Sequence, residues 1–290
     1  MDQITKKLLK HINLGTNEKQ KSSHWLKYTQ NFNFKNEKIT GISGFSYATK
    51  KFPFLDIYHR FLQKLNYSNV DFSFNSYWYK VALSAMNKQS RIVDSCVLRQ
   101  VLTMNLLDKK LNLEYLDNIC VIGDGQSNFV AIALESNKFK KILSINLPEV
   151  LLNDFILIKK MGFPTKKINL INTKKQLRDF YKNDVSSFGM IEANNFDILY
   201  KEPIDLFVNI ASFGEMNLDT VSNYFKIIKS TLNGAYLYSC NREEKRLPDG
   251  TIIKLKDFPW EGFTKKLLDE ESPWNLNYYR LRTVSYTHLR

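Results

Sequence analysis

Two short apolar runs joined through a glycine turn and one helical segment constrain this chain more than anything else in it. Ile119-Cys120-Val121-Ile122 leads into Gly123-Asp124-Gly125-Gln126-Ser127-Asn128; the apolar segment Phe129 to Leu134 follows, and Lys141-Ile142-Leu143-Ser144-Ile145-Asn146 closes the unit. Strand, turn, helix and strand in that order begin a βαβ unit and call for a parallel sheet. Gly123 and Gly125 reach backbone angles closed to other residues and carry no side chain to hold a ligand off the main chain. The helix start after them turns unpaired N–H groups toward whatever lies over the turn. Asn146 ends the second strand, where a polar side chain can meet a ribose across the crevice.

The glycine pattern is shorter than a dinucleotide fingerprint. Its third position is Ser127 or Asn128, and the ribose position carries Asn in place of an acid. An ordinary strand–turn–helix would use the same residues, so the segments downstream have to decide. Ser127 is placed to cap a helix over Asn128 to Ser136. Pro148 and Glu149 suit the start of the next helix, Lys159 and Lys160 its end, and Gly162-Phe163-Pro164 its stop. The third strand is either Ile168 to Ile171, with a short helix Lys175 to Tyr181 after it, or Met190-Ile191-Glu192. In both registers Glu192, or the backbone beside it, can meet an adenine. Asp205 to Ile210 is a strand that runs into Ala211-Ser212-Phe213-Gly214-Glu215-Met216, the position where open parallel sheets bind ligands. A helix Leu218 to Ser230, a turn at Asn233-Gly234 and a strand Ala235 to Cys240 ending at Asn241 follow. Residues 243–275 read as a loop-rich insertion with Trp260 and Trp274, and Leu276 to Tyr286 as a terminal strand.

Upstream, the expected organisation is a basic, aromatic and helical region over 1–110 and a Rossmann-like domain over 111–290. A short helix near the start gives way to extended or loop structure, where Trp25, Tyr28, Phe45 and Tyr47 are expected to pack on something. Asp56 to Asn66, with Ile57, Phe61 and Leu65 on one side, Phe74 to Met86 and Ile92 to Leu111 have helical periodicity. Arg99 and Gln100 on the last of these read as ordinary helix surface. The fold class is therefore α/β: a mostly parallel sheet, helices on both faces, and a helical region before it.

Composition narrows the function. The net charge of +13 invites nucleic acid, but residues 1–51 alone hold ten lysines against three acids, and the rest is scattered Lys–Lys pairs. Solvated lysines explain that better than a binding face. Cys96, Cys120 and Cys240 are odd in number and form no CxxC, which argues against a disulfide framework and a zinc site. No apolar run approaches a membrane span, so the expectation is a reduced, cytoplasmic protein. There is no GxxxxGK[ST], which removes the P-loop reading. A methyl donor that is already activated asks only for alignment and, with an alcohol acceptor, removal of a proton. Glu215 is the best-placed base, although a carboxylate capping the following helix would look the same; His11, His24 and His59 lie upstream of the core and His288 in the tail. No His/Asp/Glu cluster suggests a metal.

Val121-Ile122-Gly123-Asp124-Gly125, Ile145-Asn146-Leu147-Pro148-Glu149, Asp205-Leu206-Phe207-Val208-Asn209, Ser212-Phe213-Gly214-Glu215-Met216 and Tyr224-Phe225 come in an order that resembles one family. It is the sugar O-methyltransferases of bacterial surface-polysaccharide gene clusters, within the class I S-adenosylmethionine-dependent methyltransferases. The resemblance spans roughly residues 90–242 and is most specific at Ser-Phe-x-Glu-Met followed by Tyr-Phe. It implies a seven-stranded Rossmann-like sheet, S-adenosylmethionine as cofactor and a glycan or other small-molecule hydroxyl as acceptor. It also implies that Gly123, Asp124, Gly125 and Ser127 surround the methionine part of the donor, that Asn146 meets its ribose, and that Glu215 and Asn241 lie on the acceptor side. The chain departs from the family at Val121, where an acid is usual, and at Ser127, where a third glycine is usual.

Two other readings stay open. Charge alone favours an RNA methyltransferase, against which stands the missing Asn/Asp-Pro-Pro-aromatic segment of amino-group methyltransferases. The departures at Val121 and Ser127 allow a non-catalytic binding protein on the same fold. The ending Val284-Ser285-Tyr286-Thr287-His288-Leu289-Arg290 resembles adapter read-through in assembled sequence, so the expectation is that the natural C-terminus, with a closing strand, is missing.

Overall fold

The computed structural model describes the chain except residues 16–20, 45–48, 53, 68–71, 184, 186, 273, 275–284 and 290, and describes only the backbone of Asn66 and 285–287. One sheet holds eight strands: β1 (Asn118–Ile122), β2 (Lys141–Asn146), β3 (Ile168–Leu170), β4 (Ser187–Glu192), β5 (Leu206–Ile210), β6 (Tyr236–Arg242), β7 (Leu268–Glu271) and β8 (Ser285–Leu289). Their spatial order is β7-β8-β6-β5-β1-β2-β4-β3. The six strands β1 to β6 are parallel. β8 lies antiparallel between β6 and β7.

Strand alternation sorts the core into two layers. Ile119 and Val121 of β1 point into one, and Cys120 and Ile122 into the other. The helices are α1 (Gln3–Asn13), α2 (Ser23–Thr29), α3 (Leu55–Asn66), α4 (Tyr77–Lys88), α5 (Ser95–Leu111), α6 (Asn128–Ser136), α7 (Pro148–Lys160), α8 (Lys174–Lys182) and α9 (Leu218–Lys229). The buried residues of α4, α5, α6 and α7 fill the first layer, and those of α8 and α9 the second. This is the Rossmann-like α/β arrangement, with helices on both faces of a mostly parallel sheet. From β1 the chain winds outward through β2 on one side and crosses back to β5 on the other, which makes the carboxyl ends of β1 and β5 the switch point.

Both registers proposed for the third strand exist. Ser187–Glu192 is the buried strand beside β2, pairing Glu192 with Asn146, and Ile168–Leu170 is a short edge strand outside it. That edge strand makes the sheet eight-stranded where seven were expected. Of the Leu276 to Tyr286 segment expected as the C-terminal strand, residues 276–284 lie outside the described residues; the described strand there is Ser285–Leu289. The 243–275 segment carries a hairpin, Glu244–Arg246 with Ile252–Lys254, as well as β7. Trp260 packs on Phe225 with ring centroids 5.0 Å apart, and Trp274 is buried.

The helical stripe on α3 faces outward. Ile57, Phe61 and Leu65 are more than half exposed, while Gln63 on the inner side donates to the Val93 carbonyl at 2.6 Å. Of the aromatic residues expected to pack, Phe45 and Tyr47 lie outside the described residues. The three cysteines are buried, and none of them forms a disulfide among the described residues. Among the described residues no helix is long and apolar enough to cross a membrane, and no group of three His, Cys, Asp or Glu side chains could hold a metal ion.

Candidate functional site

The site is built at the carboxyl ends of β1, β2 and β5. Gly123 and Gly125 both take positive φ, 77° and 59°. Between them the Asp124 carboxylate accepts from the Phe129 and Val130 N–H groups at 3.2 and 2.9 Å. It is therefore the cap of α6. Ser127 stands at the capping position but makes no side-chain cap and has φ of 51°, the angle a third glycine would supply without strain. A buried arginine, Arg91, braces the turn from below, donating to Asn128 Oδ1 at 2.7 Å. Burial pushes Asp124 up to about 7, against the opposing pull of its two backbone donors and Arg91. Burial also lifts Asp154, which accepts from Asn146 Nδ2 at 2.8 Å, to about 6.

The β5 end packs directly on this turn. Asn209 Nδ2 and the Ser212 hydroxyl both donate to the Ile122 carbonyl, at 3.1 and 3.0 Å. Ala211 is held at φ of 64°, a strained angle for a residue with a side chain. Strain of that kind collects at ligand sites. The short turn Phe213–Glu215 then delivers the Glu215 carboxylate into the cleft.

Two cavities open here. One, of about 120 Å³, is lined by Gly123, Asp124, Gly125 and Asn146 on the donor-turn side and by Glu215, Arg99 and Gln100 opposite. The other, of about 60 Å³, is mainly apolar, with Leu147, Val150, Ala193, Met216 and Tyr224 around Gly123 and Asn146. Trp25 lines both. Ser127, Glu192 and Asn241 line neither. Asn241 is an internal brace: it donates to Asn209 Oδ1 at 2.9 Å, and its own carbonyl oxygen accepts from the Gly214 N–H at 3.2 Å. Glu192 is buried beneath the N-terminal helix, with His11 Nδ1 2.6 Å from its Oε1.

Sequence reasoning missed the N-terminal segment. Lys21 reaches Glu149 at 2.5 Å, the Ser22 hydroxyl donates to the Glu215 carbonyl at 2.5 Å, and Trp25 lines the cleft. His24, set aside as lying upstream of the core, places Nε2 3.5 Å from Glu215 Oε2. Burial first, then the nearby Lys245 charge, lowers His24 to about 4, so it is neutral at pH 7 and makes no ion pair with Glu215 there. The charge partner of Glu215 is Lys245, 2.5 Å from Oε1 and carried by the hairpin after β6. Burial raises the Glu215 pKa, and Lys245 and Arg242 pull it back. The expectation that Trp25 and Tyr28 pack on something was the signal in the sequence that pointed to this segment, and both rings are close to His24. Arg99 and Gln100, read as helix surface, line the larger cavity instead.

The residues present suit a donor made of a nucleoside and an amino acid. The apolar cavity offers a slot for a flat base, Asn146 is fixed at the rim that both cavities share, and the two glycines bring bare main chain to the junction.

No protein-family model matches the sequence, and no curated protein does. Among solved structures the chain is similar to a protein assigned as an O-methyltransferase from Nostoc punctiforme, at 12% identity and a TM-score of 0.43, covering 92% of this chain and 82% of that one. It is also similar to the methyltransferase domain of bacterial CtHen1, at 11% identity, a TM-score of 0.39, and 64% and 94% coverage. A third likeness is the plantazolicin methyltransferase BpumL in complex with SAH, at 9% identity, a TM-score of 0.37, and 81% and 95% coverage. Of three further methyltransferase structures the chain spans about half the length.

Proposed function

We propose that this chain is an S-adenosylmethionine-dependent O-methyltransferase that acts on a sugar hydroxyl. One observation carries the reading: a single cavity has the Gly123–Gly125 turn on one wall and the buried carboxylate of Glu215, from the neighbouring strand end, on another. Bound S-adenosylmethionine supplies a methyl group already activated for transfer. The adenosine half suits the apolar cavity around Leu147, Val150 and Tyr224, with Asn146 at the ribose. Glu215 takes the proton of the acceptor hydroxyl. Its burial supports that role, because desolvation strengthens a carboxylate as a base. Asn209, Ser212 and Asn241 hold the Phe213–Glu215 turn against β1, which fixes the base relative to the donor turn. Trp25 gives the same cavity an aromatic wall, the kind of surface on which a sugar ring stacks.

Calorimetric titration with S-adenosylhomocysteine tests the cofactor, with Gly125→Arg as the control. Methyl transfer to a panel of nucleotide sugars and oligosaccharides tests the acceptor. Glu215→Gln is expected to bind the ligand normally and to lose about 10²- to 10⁴-fold in turnover. A folded protein that binds no S-adenosylhomocysteine at millimolar concentration ends the enzyme reading.

A further inference from the structure

We propose that Arg99 and Gln100 form the recognition site for the amino-acid end of the donor, with Arg99 on its α-carboxylate. The inference rests on the donor reading above and deepens it. The two cavities share Gly123, Asn146, Ser212 and Trp25, so a ligand laid across Gly123 with its adenosine in the apolar cavity directs its other end into the larger one. That end of the donor is a zwitterion, and burying a carboxylate requires a cationic partner. Among the described residues lining the larger cavity, Arg99 is the one cation.

Arg99 is well supported for this role. It sits one turn into α5, whose N-terminus is already satisfied by Asp94, a cap for the Cys96 and Val97 N–H groups at 3.0 Å each. The helix start therefore needs no ligand of its own, and the recognising group is the side chain. The guanidinium donates to Cys96 Sγ at 3.2 Å, which holds it on the cavity face of the helix. Beside it, Gln100 Oε1 is buried with no hydrogen-bond partner. A buried carbonyl oxygen of that kind is matched by the α-ammonium of the same ligand. A planar guanidinium on a carboxylate is the strongest and most directional pairing that protein side chains offer.

The test compares two ligands by calorimetry. S-Adenosylhomocysteine carries the amino-acid end, and 5′-methylthioadenosine lacks its carboxylate and ammonium. The wild-type protein is expected to prefer S-adenosylhomocysteine by about 10- to 100-fold. Arg99→Ala should reduce that preference to within about threefold while leaving the 5′-methylthioadenosine affinity unchanged, which also shows that the variant is folded. Arg99→Lys should keep part of the preference. If Arg99→Ala binds both ligands with the wild-type preference intact, this assignment is overturned and the donor reading stands. Equal affinity of the wild-type protein for the two ligands overturns it as well. Failure of both ligands to bind removes the donor reading itself, and the assignment with it.

Discussion

Ser212 fills the space that a side chain on Gly123 would need: a Cβ built on Gly123 stands 2.2 Å from Ser212 Oγ. Two strand ends are thereby locked face to face, and the lock depends on a hydrogen atom at position 123. Gly123→Ala is expected to cost at least about 2 kcal/mol, from the positive φ and the collision together. Adding Ser212→Gly removes the collision and leaves the φ cost, so the double variant should recover part of the loss. Urea unfolding of the two variants measures both parts.

The Glu215–Lys245 pair sets a pH dependence. Lys245 lowers the Glu215 pKa, so removing it lets burial act unopposed by that charge. In Lys245→Met the acid limb of kcat/KM should move to higher pH. A limb that stays in place, or moves down, contradicts Glu215 as the proton acceptor.

Asp124 makes a separate, structural prediction. Its pKa in the folded chain is raised to about 7, so the protonated form is the one that stabilises. Its contribution is full below the unfolded value near 4 and is lost as pH rises through about 7. Stability to urea should therefore fall between about pH 4 and pH 7 by up to a few kcal/mol, and Asp124→Asn should flatten that slope.

Trp25 reports on binding. The cavities it lines, about 120 and 60 Å³, are each smaller than the roughly 300 Å³ of a small-ligand pocket. Seating a nucleoside with an amino-acid tail requires the walls to move, and Trp25 lines both cavities. S-Adenosylhomocysteine should change the tryptophan emission of the wild-type protein, and Trp25→Phe should abolish the change while binding persists.

Much of the sheet could be read from the chain because local pattern encodes it. The β1 turn, the Pro148 helix start and the run into Glu215 are each set by residues within a few positions. What escaped was set by distance. Nothing near His24 says that a residue 191 positions later, Glu215, will face it. The stripe Ile57, Phe61, Leu65 announced a helix correctly, but periodicity does not say which side meets the core. Asn241 is polar at a strand end, which is where a ligand group belongs; only its bonds to Asn209 and Gly214 reveal a brace. Arg99 looked like surface because the residues that share its cavity, Trp25, Asn146 and Glu215 among them, lie far from it in the sequence.

The contacts of the N-terminal segment also bear on how the chain is made. His11, Lys21, Ser22 and His24 are synthesised well before Glu149, Glu192 and Glu215, the groups that hold them. They wait, exposed, while more than a hundred residues emerge and the sheet assembles. Contacts of such long sequence separation form late. After dilution from denaturant, helix content should return before the cleft does, and the ability to bind ligand should be the last property the refolding chain regains.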